Sequence, residues 1–360
     1  MVVRNIPKPI VRDEIPKLRT KLAKNAEQIK NNINLKFPGI ISNLFVSDET
    51  GLTDDVVPLS LIVGIDGTTR EVEDSSGESQ QTILAAAAAI GIVNKNNILL
   101  SNDVPVEPVI IPTDGRKDLL IMKCLEYRTY NHICAEIEIN DLVALDGALW
   151  NILEDSRFLI DNPELHHFFP VDEYEHFVNN LTTQNTCHIV KEFHSYDIES
   201  QIRNFDQSLE NLNHKRVADA LLNPGELFNE TIHQKNMLNK YPYISSSRQH
   251  EGRGYVQSYN KLRKVAEDQY SGAIVKFKTN QSSVKIEFLN NNIFQKNKDN
   301  VLKTLEIELK GIQKEPFATF FAERSAKYVA RATHSNYLME QKNGMKSEDY
   351  IPNIPYKVRT

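Results

Sequence analysis

Two stretches of the chain are apolar almost throughout, and both stop on the same dipeptide. "LSLIVGIDGTTR" runs from Leu59 through Ile65 to Asp66 and Gly67, and "DLVALDGALW" runs from Asp141 through Leu145 to Asp146 and Gly147. Continuous apolar runs of this length predict strands covered on both faces, Leu59 to Ile65 and Leu142 to Asp146, each ending at a carboxylate. Between them lies "QTILAAAAAIGIV", Gln81 to Val93. Its alanines favour helix by propensity. Thr82, Ile83, Ile90, Ile92 and Val93 around them, and the turn-rich "EDSSGES" before them, favour a strand returning beside the first. "NNILL" reads as a short third strand and "VPVEPVIIP" as a proline-broken connection. From Asp114 to about Ile139 the period changes. At about 100° per residue Leu119, Met122, Tyr127, Tyr130, Ile133, Cys134 and Ile137 fall on one side of a helix. A crossover helix between two buried strands implies that they pair in parallel. Residues 12 to 33, "RDEIPKLRTKLAKNAEQIKNNI", repeat apolar residues at helical spacing among dense charges, the pattern of an exposed amphipathic helix that leads into the core or meets a partner.

The same pattern isolates three carboxylates. Glu126 falls inside the apolar stripe of its helix, where a carboxylate costs free energy unless a cation accompanies it. Glu136 and Glu138 fall outside that stripe or on its edge, where solvated carboxylates belong. In open sheets ligands gather beyond the carboxyl ends of the strands, where Asp66 and Asp146 are expected. With Glu126 approaching from the connecting helix, three negative charges would repel one another. Divalent cations relieve that repulsion: oxygen ligands suit Mg²⁺ or Mn²⁺, and a pair of such ions stabilises the attacking and leaving oxygens of a phosphodiester. Asp-Gly after a strand is commonly no more than a turn. Two copies flanking a helix with a carboxylate on its apolar face make the site the better reading, with each glycine allowing a tight turn and close approach of substrate.

Composition narrows the setting. With 360 residues, 40% of them hydrophobic, the chain can bury the core of one large domain or of a domain with a smaller lobe. The N-terminal "MVVRNIPKPIVRDEIPK" lacks the apolar core of a leader, no run is long enough to span a membrane, and a cytoplasmic protein is expected. Cys124, Cys134 and Cys187 form no metal or disulfide spacing and read as core thiols. A formal net charge of −6 argues against a generally basic, nucleic-acid-coating surface and leaves room for a local one. "SSSRQHEGRGYVQSYNKLRK" offers it: Arg248, Arg253, Lys261, Arg263 and Lys264 stand against Glu251, with tyrosines interleaved, as a loop that could track phosphates and stack bases. His166, His167, Asp172, Glu173 and His176 match no standard zinc spacing.

"IVGIDGTTR", "CLEYR" and "DLVALDGALW" together resemble the core motifs of the NurA nucleases. Thr68 and Ala148 stand where that family has serines. "ADALLNPGE" and the paired strands "GAIVKFKT" and "SSVKIEFL" resemble later family segments, and "YVARATHSNYLME" carries His334 where the family has a histidine on a late helix. The resemblance implies an α/β fold with a ribonuclease-H-like mixed sheet flanked by helices, plus additional helical and hairpin segments. It implies a helical arm over 1–54, a nuclease domain over 55–340 and a tail over 341–360. It further implies a DNA nuclease using Mn²⁺ or Mg²⁺ at Asp66, Glu126 and Asp146 with His334 assisting. The partners it implies are DNA, a second copy of the chain and a HerA-like hexameric ATPase, in DNA end processing or defence against phage. Two other readings compete: an actin-like phosphotransferase, suggested by "GIDGTT", and an inactive adaptor that clamps DNA or an ATPase.

Overall fold

The computed structural model describes residues 48–73, 80–94, 97–105, 108–205, 213–230, 232–245, 252–278, 282–289, 291–309 and 316–342. The N-terminal helix expected over 12–33, the tail beyond 342 and Arg248 lie outside the described residues.

The apolar run containing Ile65 does not end a strand at Asp66. Strand β2 (Leu61–Glu73) continues seven residues further, in antiparallel register with β3 (Gln80–Asn94), so that Asp66 stands opposite Ala87. What stops there is a second partner. β6 (Leu142–Asp146) pairs in parallel with β2 from Ile62 opposite Leu142 to Ile65 opposite Leu145. Up to Ile65 the strand is covered on both edges and both faces, and its sequence is apolar throughout. Past that point the β6 edge is lost and polar Thr68, Thr69, Arg70 and Glu71 appear.

Among the described residues, ten strands form one mixed sheet. β7 (Asn185–Val190) lies parallel to β6, while β4 (Asn97–Pro105) and β5 (Val109–Pro112) both pair antiparallel with β3. The proline-broken connection therefore contains a strand, because Pro105 and Pro112 fall at strand ends, where a missing amide donor is tolerated. The order β4, β3, β2, β6, β7, with the last three parallel, is the ribonuclease-H-like arrangement that the family resemblance implied. The sheet continues antiparallel through β10 (Val284–Phe288), β9 (Ser271–Lys276), β8 (Glu226–Asn229) and β1 (Asp48–Glu49). β9 and β10 are the expected hairpin, Val275 opposite Val284.

Helices cover both faces, and the period of two along β2 assigns them. Val63 and Ile65 pack with α1 (Arg116–Cys134), α2 (Leu149–Asp161), α3 (Val171–Thr183) and the later α7 (Arg253–Gln269). Ile62 and Val72, on the other face, meet α8 (Asn291–Glu308) and α9 (Phe317–Lys342). Shorter helices α4 (Tyr196–Phe205) and α5 (His214–Leu221) pack around Val190 and Ile274, and α6 (Ile232–Lys240) follows β8. The alanine run is a strand because it is buried on both faces: Ala86 and Ala88 face α1, whereas Ala85 and Ala87 face α9. Methyl groups alone fill the space there, which lets helices approach closely from both sides.

α1 is shorter than its period suggests, ending at Cys134, and Leu119 is 55% exposed. Leu120, Ile121, Cys124 and Leu125 take the buried side instead, together with Tyr130 and Ile133. The three cysteines are buried free thiols, as expected. None of the described helices is long and apolar enough to cross a membrane.

Candidate metal centre

Ile65 pairs with Leu145, so Asp66 and Asp146 stand level on adjacent parallel strands. Alternation carries both carboxylates to the face covered by α8 and α9, where Ile62, Leu142 and Ala144 also lie. Glu126 belongs to α1 on the opposite face. Gly67 lets α1 come close to the strand: a Cβ at that position would lie 2.7 Å from Glu126 Oε1 and 3.0 Å from Met122 Cγ. The glycine after Asp66 thus serves a close helix approach within a continuous strand. A turn glycine is found at Gly147, with φ +98°, whose amide donates to Ile189 O at 3.0 Å.

Two lysines attend these acids. Lys123 Nζ donates to Glu126 Oε2 at 2.6 Å, and Lys191 Nζ lies 3.1 Å from Asp146 Oδ2. Asp66 Oδ1 accepts from the Gly67 amide at 2.7 Å. Burial, then the negative charges of Glu126 and Asp146, push the Asp66 carboxyl up to about 8. Burial also raises Glu126 against the opposing charge of Lys123. Burial alone would lower Lys123, but Glu126 and the two aspartates outweigh it and hold the ammonium protonated. Glu126 Oε1 is buried and makes no hydrogen bond. Oxygen donors that repel one another, one of them buried without a partner, fit a hard divalent cation.

A second cluster was not anticipated. Among the described residues, the group of acidic, His or Cys side chains whose ligand atoms lie within 4.8 Å of one another is Glu230, His233 and Glu287. Its donors suit a metal, but an ammonium already stands among them. Lys285 Nζ lies 2.8 Å from Glu230 Oε2, 2.9 Å from Glu287 Oε1 and 2.8 Å from His233 Nε2. Glu287 also accepts from Tyr270 Oη at 3.0 Å and from the Leu149 amide at 2.8 Å. Burial and the Lys285 charge lower His233 to about 3, which leaves a neutral ring able to accept from Lys285. The signal was present in "VKIEF", where two charges alternate with core residues of a strand buried throughout.

His334 is half-buried on α9 and sits near Arg70; burial and then that guanidinium lower its pKa. Arg70 is four residues beyond Asp66, about 13 Å along the strand, so His334 is not brought beside the carboxylates. Of the basic residues expected to meet DNA, Arg263 is buried, donating from Nε to Tyr241 O at 2.8 Å and pairing with Glu267 at 3.3 Å. Lys264 pairs with Asp268 at 3.1 Å and Lys261 donates to Asn179. Arg253 is exposed at the start of α7. This helix packs on the α1 face of the sheet, opposite to the face of Asp66 and Asp146. His166 stacks on Tyr255 with ring centroids 4.0 Å apart, a packing role.

A mixed sheet of ribonuclease-H-like order, with carboxylates at the point where a parallel neighbour leaves its central strand, defines the class of fold. The NurA nuclease from Sulfolobus solfataricus matches it over 93% of this chain and 98% of that one, with 12% sequence identity and a TM-score of 0.51. The chain has a NurA-like fold. A structure of NurA with manganese matches over 94% of this chain and 100% of that one, with 11% identity and a TM-score of 0.49. No family model matches the sequence, and no curated protein does.

Proposed function

We propose that this protein is a divalent-cation-dependent deoxyribonuclease that hydrolyses phosphodiester bonds. Three observations support the reading: Asp66 and Asp146 stand level on adjacent strands, Asp66 feels the charges of Glu126 and Asp146, and Glu126 Oε1 is buried and unpartnered over Gly67. The NurA-like fold supports it. Mn²⁺ or Mg²⁺ held by these three residues would neutralise the phosphate and activate the attacking water, so no covalent nucleophile on the protein is required.

The chain's own residues prepare the reaction. Gly67 fixes how far Glu126 reaches, and the Gly67 amide orients Asp66 through its hydrogen bond. Lys123, 2.6 Å from Glu126, opposes the burial that favours the protonated form of that carboxyl. Arg70 and His334, further along β2 and α9, would hold phosphates of the substrate strand remote from the scissile one. Of the expected DNA contacts, exposed Arg253 remains available, whereas Arg263 serves the fold. A HerA-like hexameric ATPase, a homodimeric state, and a role in end processing or phage defence extend the same reading.

The test is incubation of the purified protein with end-labelled linear and circular DNA, with and without Mn²⁺. Cleavage that requires the ion and is abolished in Asp66→Asn and in Asp146→Asn, with both variants folded and still binding DNA, is the expected result. Full activity in both variants would sink the assignment.

A further inference from the structure

Resting on the reading of Asp66, Glu126 and Asp146 as cation ligands, we propose that the centre holds one divalent cation per chain and that Lys123 takes the place of a second. Each carboxylate already has one oxygen engaged. Glu126 Oε2 accepts from Lys123 Nζ at 2.6 Å, Asp66 Oδ1 accepts from the Gly67 amide at 2.7 Å, and Asp146 Oδ2 stands 3.1 Å from Lys191 Nζ. What remains is Glu126 Oε1, buried without a hydrogen bond, together with Asp66 Oδ2 and Asp146 Oδ1. Three single oxygens suit one hard cation whose other positions go to water and phosphate. Two cations about 4 Å apart are drawn together by a carboxylate that gives one oxygen to each.

Glu126 is the carboxylate on which such sharing fails. Its Oε2 carries the ammonium of a residue one turn back on α1, and its side chain is only 5% exposed, so water screens little of the charge there. A cation on the same oxygen would meet a like charge across a single atom. Lys123 is not confined to Glu126, for its ammonium also lies in the field of Asp66 and Asp146. Three carboxylates and this ammonium leave two negative charges, which one divalent cation balances. A second cation would make the centre positive, even before the charge of Lys191 is counted. Lys123 then supplies the further positive charge that a paired site would set beside the phosphate.

The experiment counts ions on the full chain, without nucleic acid and without turnover. Mn²⁺ is titrated calorimetrically into the wild type, Lys123→Met and Asp146→Asn, with thermal unfolding to show that each is folded. Electron paramagnetic resonance then reads whether bound ions are magnetically coupled neighbours. The ions that belong to the centre are those lost in Asp146→Asn. The wild type is expected to bind one such ion per chain, with an uncoupled spectrum. Lys123→Met is expected to bind two, with the coupled spectrum of a close pair, because Glu126 then offers both oxygens. Two ions at the wild-type centre, or one in a folded Lys123→Met, would overturn the inference and leave the metal reading intact. If Lys123→Met does not fold, the wild-type count decides alone: one ion supports the inference and two overturn it. A wild-type protein that binds no Mn²⁺ overturns both.

Discussion

At the scale of single residues, the centre depends on an absent side chain. Gly67 lies in extended strand, where any residue could adopt the backbone, yet a methyl group there would press on Glu126 Oε1 at 2.7 Å. Gly67→Ala is expected to displace Glu126 by a fraction of an ångström to about 1 Å, enough to lower kcat about a hundredfold. The melting temperature should change little, because the far end of a glutamate can move. Parallel measurement of turnover and thermal unfolding checks this, and a variant of wild-type activity would show that the close approach is not needed. The carboxylates themselves were legible in the sequence, since Asp66, Glu126 and Asp146 each interrupt an apolar pattern. The role of Gly67 and the pairing of Lys191 with Asp146 were not, because both depend on which element passes over which.

At the scale of elements, the junction of α8 and α9 carries a buried acid. Glu308 Oε2 accepts from the Ala318 amide at 2.9 Å, satisfying one of the donors at the start of α9. Burial lifts its pKa from 4.5 to about 7. Between those values the folded protein holds a proton that the unfolded chain has released, so this group makes stability fall as pH rises from about 4.5 to about 7 and stay lower above that. Glu308→Gln keeps an acceptor for the amide and removes the titration. Urea unfolding at about pH 5 and about pH 8 should show the variant gaining on the wild type at the higher pH; equal midpoints at both would refute it. The strands around this junction were easier to read than their ends. The β2 run could be seen, but not its extension to Glu73, because the polar half of that strand is held by β3 rather than by burial on both edges. The run of alanines was legible as a strand from the β-branched residues that flank it, and the structure adds why alanine suits it, since helices press on both its faces.

At the scale of the whole molecule, the sheet separates two surfaces. α7, with the basic residues singled out in the sequence, packs on the α1 face, and Asp66 and Asp146 face α8 and α9. The charge of Arg263, a residue expected from the sequence to meet DNA, is spent on backbone carbonyls and Glu267 inside that packing. With a net charge of −6, the chain is expected to hold DNA weakly at physiological salt, since non-specific affinity grows with the number of phosphates neutralised. A ring-shaped ATPase would supply the missing retention. Deletion of residues 1–33 should weaken assembly with such a partner more than it weakens cleavage of short single strands, as read by size-exclusion chromatography beside a nuclease assay. Normal assembly of the truncated protein would rule out the arm as the docking element.

The Lys285 ammonium among Glu230, His233 and Glu287 has a consequence for how the protein responds to its surroundings. A counter-ion tethered to β10 by its own side chain can be neither chelated, diluted nor exchanged for another species. If the centre at Asp66 holds a divalent cation as proposed, a chelating agent would remove it and leave the β10 end of the sheet neutralised, and lost activity should return when the ion is added back to an already folded scaffold.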